Sequence, residues 1–202
     1  MKMLTNLKTA LKNPTEARFL KLTIQGQIPK ELNHLIYLEE LYLEGEFDYF
    51  TVDLQFFSNL KLLSLNSSTL KVFPAEALKC PSLINLKVLA GLFQSLVLPL
   101  EVISELKFFT LKNTSLKQLP LEISQLATIE EMNLSENQLT DLPLSICELK
   151  KLKRLNIDHN QFKSLPTIIK KCEALKYLSC DGNLFSDEEK ERIQREFNLT
   201  PH

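Results

Sequence analysis

Shifted by 23 residues, one part of this chain falls on the next. Met132-Asn133-Leu134 lands on Leu155-Asn156-Ile157, Asn137 on Asn160, and Leu142-Pro143 on Leu165-Pro166. The template L-x-x-L-x-L-x-x-N-x-L starts at Ala17, Leu38, Leu60, Leu83, Leu106, Ile129, Leu152 and Leu175, at intervals of 21, 22 and then 23 throughout. Its fourth and sixth positions are apolar in all eight repeats, from Leu20/Leu22 through Phe109/Leu111 and Leu155/Ile157 to Leu178/Cys180. A unit of this size cannot bury its own apolar face, so copies must stack side by side.

The L-x-L alternation gives a short strand with one face inward. Strands of successive units then pair in parallel, and eight of them span roughly 35–40 Å along the stack. After each strand the chain turns inward and leaves backbone groups without a ladder partner. A buried asparagine offers donors and an acceptor at once, which is the role expected of Asn137, Asn160 and Asn183. Thr114 and Ser68 hold the same place in earlier repeats, while Gly91 offers no side chain, so a looser turn is expected there. Leu119-Pro120, Leu142-Pro143, Leu165-Pro166, Phe73-Pro74, Ile28-Pro29 and a Leu98-Pro99 displaced by two residues mark a second corner. Proline fixes φ and lacks a donor, which suits the start of a short helix on the outer side.

This pattern resembles that of leucine-rich repeat proteins. The 23-residue form "LPxxIxxLxxLxxLxLxxNxL", led in by "ALKNPTEARFLKL", is similar to the leucine-rich repeat proteins of leptospiral spirochaetes. The resemblance implies an α/β horseshoe solenoid: a parallel concave sheet, short helices or 3-10 turns on the convex side, and helical caps. It also implies a bacterial protein that binds other proteins through the concave sheet and performs no chemistry. The expected organisation is a capping helix over 1–14, eight repeats over 15–185, and a second capping helix over 186–202. Met3, Leu4, Leu7 and Leu11 would form the inner face of the first cap, stopped at Asn13-Pro14. The second opens with Ser186 and Glu189 at capping-box spacing and buries Ile193 and Phe197. Repeats one and two depart most from the pattern, with Phe47, Phe50 and Phe57 replacing leucines in "GEFDYFTVDLQFF".

Other classes find little support. The 24 basic and 25 acidic residues of the 202 nearly cancel, which argues against a nucleic-acid partner. No apolar run approaches the roughly 20 residues of a membrane span. Neither a catalytic cluster nor a phosphate-cradling loop appears: His34, His159 and His202 stand far apart, and there are only 4 glycines. The reading is therefore no enzyme, no cofactor and no metal. Cys80, Cys172 and Cys180 fall at core phases and read as small hydrophobes rather than disulfide or metal partners, with Cys147 partly exposed. Asp158, Asp181, Glu131 and Glu136 read as a solvated acidic edge, partly offset by Lys153 and Arg154.

The outward strand positions carry the functional information, because they do not repeat. The third template column reads Phe19, Glu40, Leu62, Asn85, Phe108, Glu131, Arg154, Tyr177. The fifth includes Tyr42 and Lys87, and the seventh Leu89 and Lys112. The partner-binding residues expected from these columns are Tyr42, Leu62, Lys87, Leu89, Phe108, Lys112, Glu131, Arg154 and Tyr177. Leu62, Leu89 and Phe108 would form an apolar centre inside a polar rim. The occupant would be a protein, for instance a host protein in attachment. The alternatives are an intracellular scaffold, or the binding part of a larger bacterial effector whose enzymatic domain is absent here. A monomer is expected, with a homodimer through the apolar patch as the other case. Location divides the same way: cytoplasmic as written, secreted or cell-surface if a signal peptide precedes residue 1.

Overall fold

A computed structural model describes residues 2–202. Its eight strands are β1 Phe19–Gln25, β2 Glu40–Glu46, β3 Leu62–Asn66, β4 Asn85–Val88, β5 Phe108–Leu111, β6 Glu131–Asn133, β7 Arg154–Asn156 and β8 Tyr177–Ser179. They pair in parallel, in sequence order, as one open sheet. The register is that of the repeat: Phe108 lies beside Glu131, Glu131 beside Arg154, and Arg154 beside Tyr177. Parallel strands joined in this way need a return crossover, and five coils make it through a five-residue 3-10 turn that begins just after Pro29, Pro74, Pro120, Pro143 or Pro166. Ile123, Ile146 and Ile169 of those turns face inward and meet the strand leucines in one continuous core.

The strand phase follows from burial. Leu63 and Leu65, Leu86 and Val88, Phe109 and Leu111, and Leu155 and Ile157 are all buried, while the intervening Lys87, Thr110 and Asn156 are partly exposed and only Ser64 among them is buried. Phe47 and Phe57 are also buried, so the aromatic substitutions of the early coils fill leucine positions, while Phe50 packs against the core from its edge. In β2, Gly45 has φ +118°, and a Cβ there would lie 2.2 Å from the Ile24 carbonyl oxygen. Only glycine fits that approach.

The fourth coil differs from its neighbours. Between β4 and β5 the convex side carries no helical turn, where the Leu-Pro pair is displaced by two residues. Its Gly91 sits against the Phe93 ring. Phe93 packs edge-on to Phe73 at 6.1 Å, and Phe73 to Phe109 at 6.0 Å. An aromatic cluster thus fills the space that a regular turn occupies elsewhere.

The asparagine corners are built from specific bonds. Asn137 Nδ2 lies 2.7–3.1 Å from the carbonyls of Leu111, Leu134 and Ser135, and its Oδ1 accepts from Thr114 N, Thr114 Oγ1 and Leu116 N. Asn160 donates to Leu134, Ile157 and Asp158 carbonyls and accepts from Leu139 N. Asn183 repeats the arrangement on the last coil, accepting from Phe162 N at 3.2 Å. In the third coil the corner is held by Ser67, not Ser68. Ser67 Oγ accepts from Phe47 N and donates to Phe47 O, while Ser68 is exposed. The turn there comes one residue early, because a hydroxyl can serve both groups of a single neighbouring residue.

One feature of the corner has no uniform residue type. Asn113, Glu136, His159 and Gly182, each just before the corner side chain, have φ of 55°, 57°, 52° and 64°. The left-handed conformation is thus a property of the coil rather than of glycine.

The two ends close differently. Helix α1 spans Leu7–Lys12, capped by Asn6 Oδ1 accepting from Thr9 N. Leu4 is not helical: its N–H donates to Phe19 O and its carbonyl accepts from Lys21 N, which adds a one-residue bridge to the edge of β1. An unpaired sheet edge gains more from that pairing than from another half-turn of helix. Met1 lies outside the described residues. Helix α2 spans Asp187–Phe197, with Ser186 Oγ accepting from Glu189 N. The Glu189 carboxylate does not return to the cap. Instead Glu189 Oε1 accepts from Leu165 N, and Arg192 Nη2 donates to Leu165 O, both at 2.8 Å. This side-chain pair satisfies the backbone that a further coil would have paired with.

The cysteine reading needs correction. Cys147 and Cys172 form a disulfide between successive coils, with Cα atoms 4.4 Å apart, while Cys80 and Cys180 are free and buried. Cys172 shares the phase of Leu126 and Leu149, yet it is only half-buried, near the open end of the stack. Burial pushes the Cys80 thiol up, and burial with the nearby Asp181 and Asp158 charges pushes Cys180 up to about 12.

Candidate functional site: the concave face

Because successive strands are in register, each outward column becomes a straight row across the sheet, stepping about 4.8 Å per strand. A groove of about 440 Å³ lies over β4–β8. Its walls include Asn85, Phe108, Glu131, Arg154 and Tyr177 from one row, and Lys87, Thr110, Asn133, Asn156 and Ser179 from the next.

Inside the first row the charges are mutually satisfied. Arg154 lies 3.5 Å from Glu131, and its guanidinium sits 4.2 Å from the centre of the Tyr177 ring. The ring and the carboxylate therefore hold the arginine flat on the sheet. Phe108 is 36% exposed and Tyr177 57% exposed, on either side of the Glu131–Arg154 pair in this row. In the second row, Asn133 Oδ1 accepts from Ser135 N and Asn156 Oδ1 from Asp158 N. Each bond orients an amide and leaves its Nδ2 donors for whatever enters the groove.

Five of the nine expected binding residues line this groove: Lys87, Phe108, Glu131, Arg154 and Tyr177. Four do not. Tyr42 lies on β2 and donates to Glu40 Oε2 at 2.7 Å. Burial, then that hydrogen bond, pushes its phenol up to about 12. Leu62 is half-buried on β3, with Asn85 between it and Phe108 along the row. Leu89 lies past the end of β4, four residues and roughly 13 Å from the Asn85 row. Lys112, in its row, is paired with Glu136 at 3.0 Å. The three apolar residues thus do not form one patch: matching columns bring residues together only within a row, and Leu89 belongs to another. Its place is taken by Thr110, Asn133, Asn156 and Ser179, whose shared column was the available signal.

The acidic edge is tied internally. Asp158 accepts from Ser179 Oγ and Asp181 N, and Asp181 Oδ1 accepts from His202 N. Among the described residues no group of three or more His, Cys, Asp or Glu side chains is placed to hold a metal ion. His34, His159 and His202 are all exposed, and His159 packs against Gly182 instead of joining a dyad. Among the described residues no helix is long and apolar enough to cross a membrane.

Residues 94–198, a little over half of the chain, match a family model described as a leucine-rich repeat region. This chain belongs to the leucine-rich repeat family. It is similar to a leucine-rich repeat protein of Leptospira interrogans, with 31% identity and a TM-score of 0.79 over 91% of this chain. The match covers 47% of that protein, so this chain spans about half its length. Two further likenesses show the fold alone. A TDR receptor matches at 21% identity and TM-score 0.66, covering 82% of this chain and 30% of the receptor. An internalin of Listeria monocytogenes matches at 17% and 0.58, covering 91% and 65%. No functionally curated protein matches the sequence. Leucine-rich repeat folds of this kind are protein-interaction scaffolds.

Proposed function

We propose that this leucine-rich repeat chain binds a protein partner through the β4–β8 half of its concave sheet and performs no chemistry of its own. The observation that carries the reading is the row Phe108, Glu131, Arg154, Tyr177. It sets two exposed aromatic rings on either side of a central charge pair within the groove. Rings of this kind supply binding energy without a large ordering cost, while an ion pair at the centre fixes register. The core columns repeat because every coil needs the same packing; the groove rows vary because they are free to match an occupant.

The test is capture of partners by the immobilised protein from extracts of its own cell and of a host, which also reads the partner's origin. The double variant Phe108→Ala, Tyr177→Ala should weaken a captured partner's affinity by about 2 kcal/mol or more, roughly 30-fold, as loss of aromatic anchors does. A partner held equally well by the double variant would place binding elsewhere.

A further inference from the structure

The first two coils break the repeat template at its last position. In coils three to eight that position holds Leu70, Phe93, Leu116, Leu139, Phe162 and Phe185, all buried. In coils one and two it holds Gln27, which is exposed, and Asp48, which is half-buried. These are also the coils with the short intervals, 21 and 22 residues, and their strands run on to seven residues. Ile28 and Phe47, each one residue away from the template position, are buried and close the core behind it. In front of them a cavity of about 610 Å³ opens between the two coils, with Gln27, Ile28 and Asp48 in its walls. It lies past the ends of β1 and β2 and shares no residue with the concave groove. A volume of this size admits a small molecule.

The walls combine one aromatic ring with polar groups that are already positioned. Tyr49 is 54% exposed, and the Lys71 ammonium sits 6.0 Å from its ring centre. The same ammonium is held by the Asp48 carboxylate, so ring and acid are placed together. Asn33 Oδ1 accepts from Asp53 N at 2.9 Å, which orients the Nδ2 donors at little ordering cost to a ligand. Lys30 and Asp48 are the charged residues of the lining, one of each sign, so the walls favour an uncharged ligand. An acyl chain would strip water from the amides and the carboxylate without replacing their hydrogen bonds. A pyranose ring fits both kinds of wall. Its C–H face meets the electron-rich face of an aromatic ring, and each of its hydroxyls donates and accepts at once.

We propose that this cavity is a saccharide site, with one pyranose ring stacked on Tyr49 and its hydroxyls bonded to Asn33, Asp48 and Gln27. The site lies apart from the concave groove and takes a different class of ligand, so it stands or falls independently of protein binding there. Polar side chains at the last template position of the first two coils thus turn a volume that is core elsewhere into one that binds.

The probe is a printed glycan array read with the labelled, purified chain. It carries both glycoprotein-type chains and bacterial polysaccharide fragments, so it also distinguishes the source of the sugar. Bound oligosaccharides are then titrated by isothermal calorimetry. The expected result is binding of uncharged oligosaccharides that share one ring. Tyr49→Ala should weaken them about tenfold or more, whereas Tyr49→Phe, which keeps the ring, should stay within about threefold. Gln27→Trp, a change at an exposed position, should fill the opening and abolish binding while the far-UV circular dichroism spectrum stays unchanged. An array without a bound glycan, or binding indifferent to Tyr49→Ala and Gln27→Trp, overturns the proposal. So does capture of sulfated chains alone that is lost on adding salt.

Discussion

Replacing the corner asparagines one at a time by alanine should cost stability in the order Asn137, Asn160, Asn183. The magnitudes follow from what each side chain leaves behind. Asn137→Ala strands two buried backbone N–H groups, Thr114 and Leu116, together with the Thr114 hydroxyl and the carbonyls it served. Asn160 is 5% exposed and serves a single N–H, that of Leu139. Asn183 also serves one N–H, but it is half-buried on the last coil, where water can enter. A buried polar group left unpaired costs about 1–3 kcal/mol, so losses of about 3, 2 and 1 kcal/mol are expected in that order. Against a total stability on the order of 5–15 kcal/mol, all three are measurable. The chain has no tryptophan, so urea unfolding is best followed by far-UV circular dichroism, and unchanged m-values keep the comparison valid. Equal losses, or a loss at Asn183 larger than at Asn137, would refute the account of the corners.

Four other outcomes follow from the same structure. Leu155, 2% exposed, should cost about 2–5 kcal/mol on truncation to alanine. Phe108→Ala should cost little by the same urea assay. Thiol labelling of the unfolded, unreduced protein should reach Cys80 and Cys180 only, with Cys147 and Cys172 labelled after reduction; four thiols without reductant would exclude the bridge. Hydrogen bonding from Arg192 outweighs the opposing effect of burial and, with the Leu165 N–H, holds the Glu189 carboxyl at about 2, below its ordinary value of 4.5. That contribution to stability is fully present above about pH 4.5 and is lost as pH falls towards 2. Glu189→Gln should therefore flatten the acid side of the stability profile, and an unchanged slope would count against the cap.

Much of this architecture could be read from spacing, and the limits have physical causes. Core positions recur because packing demands one residue class, so Leu86, Met132 and Leu155 announce both the strand and its register. The corner conformation did not show, because the left-handed residue is met by four different types, Asn113, Glu136, His159 and Gly182, whose side chains are free to differ. Cys172 shares a core phase, yet burial at that phase weakens towards the end of the stack, where a disulfide can form. Leu89 was grouped with Phe108 by composition, although their rows run along different ends of the strands. The groove itself was legible in part: Lys87, Phe108, Glu131, Arg154 and Tyr177 came from column variability, whereas Asn133 and Asn156 resemble ordinary solvated positions until their oriented amides are seen.

The central claim is that the occupant lies on the concave rows, and site-directed photocrosslinking reads this most directly. A photoreactive residue placed at Thr110, in the groove, and separately at Glu122, exposed on the convex side, reports which face a captured partner covers. The account predicts an adduct from position 110 and none from position 122; an adduct from 122 with none from 110 would contradict it.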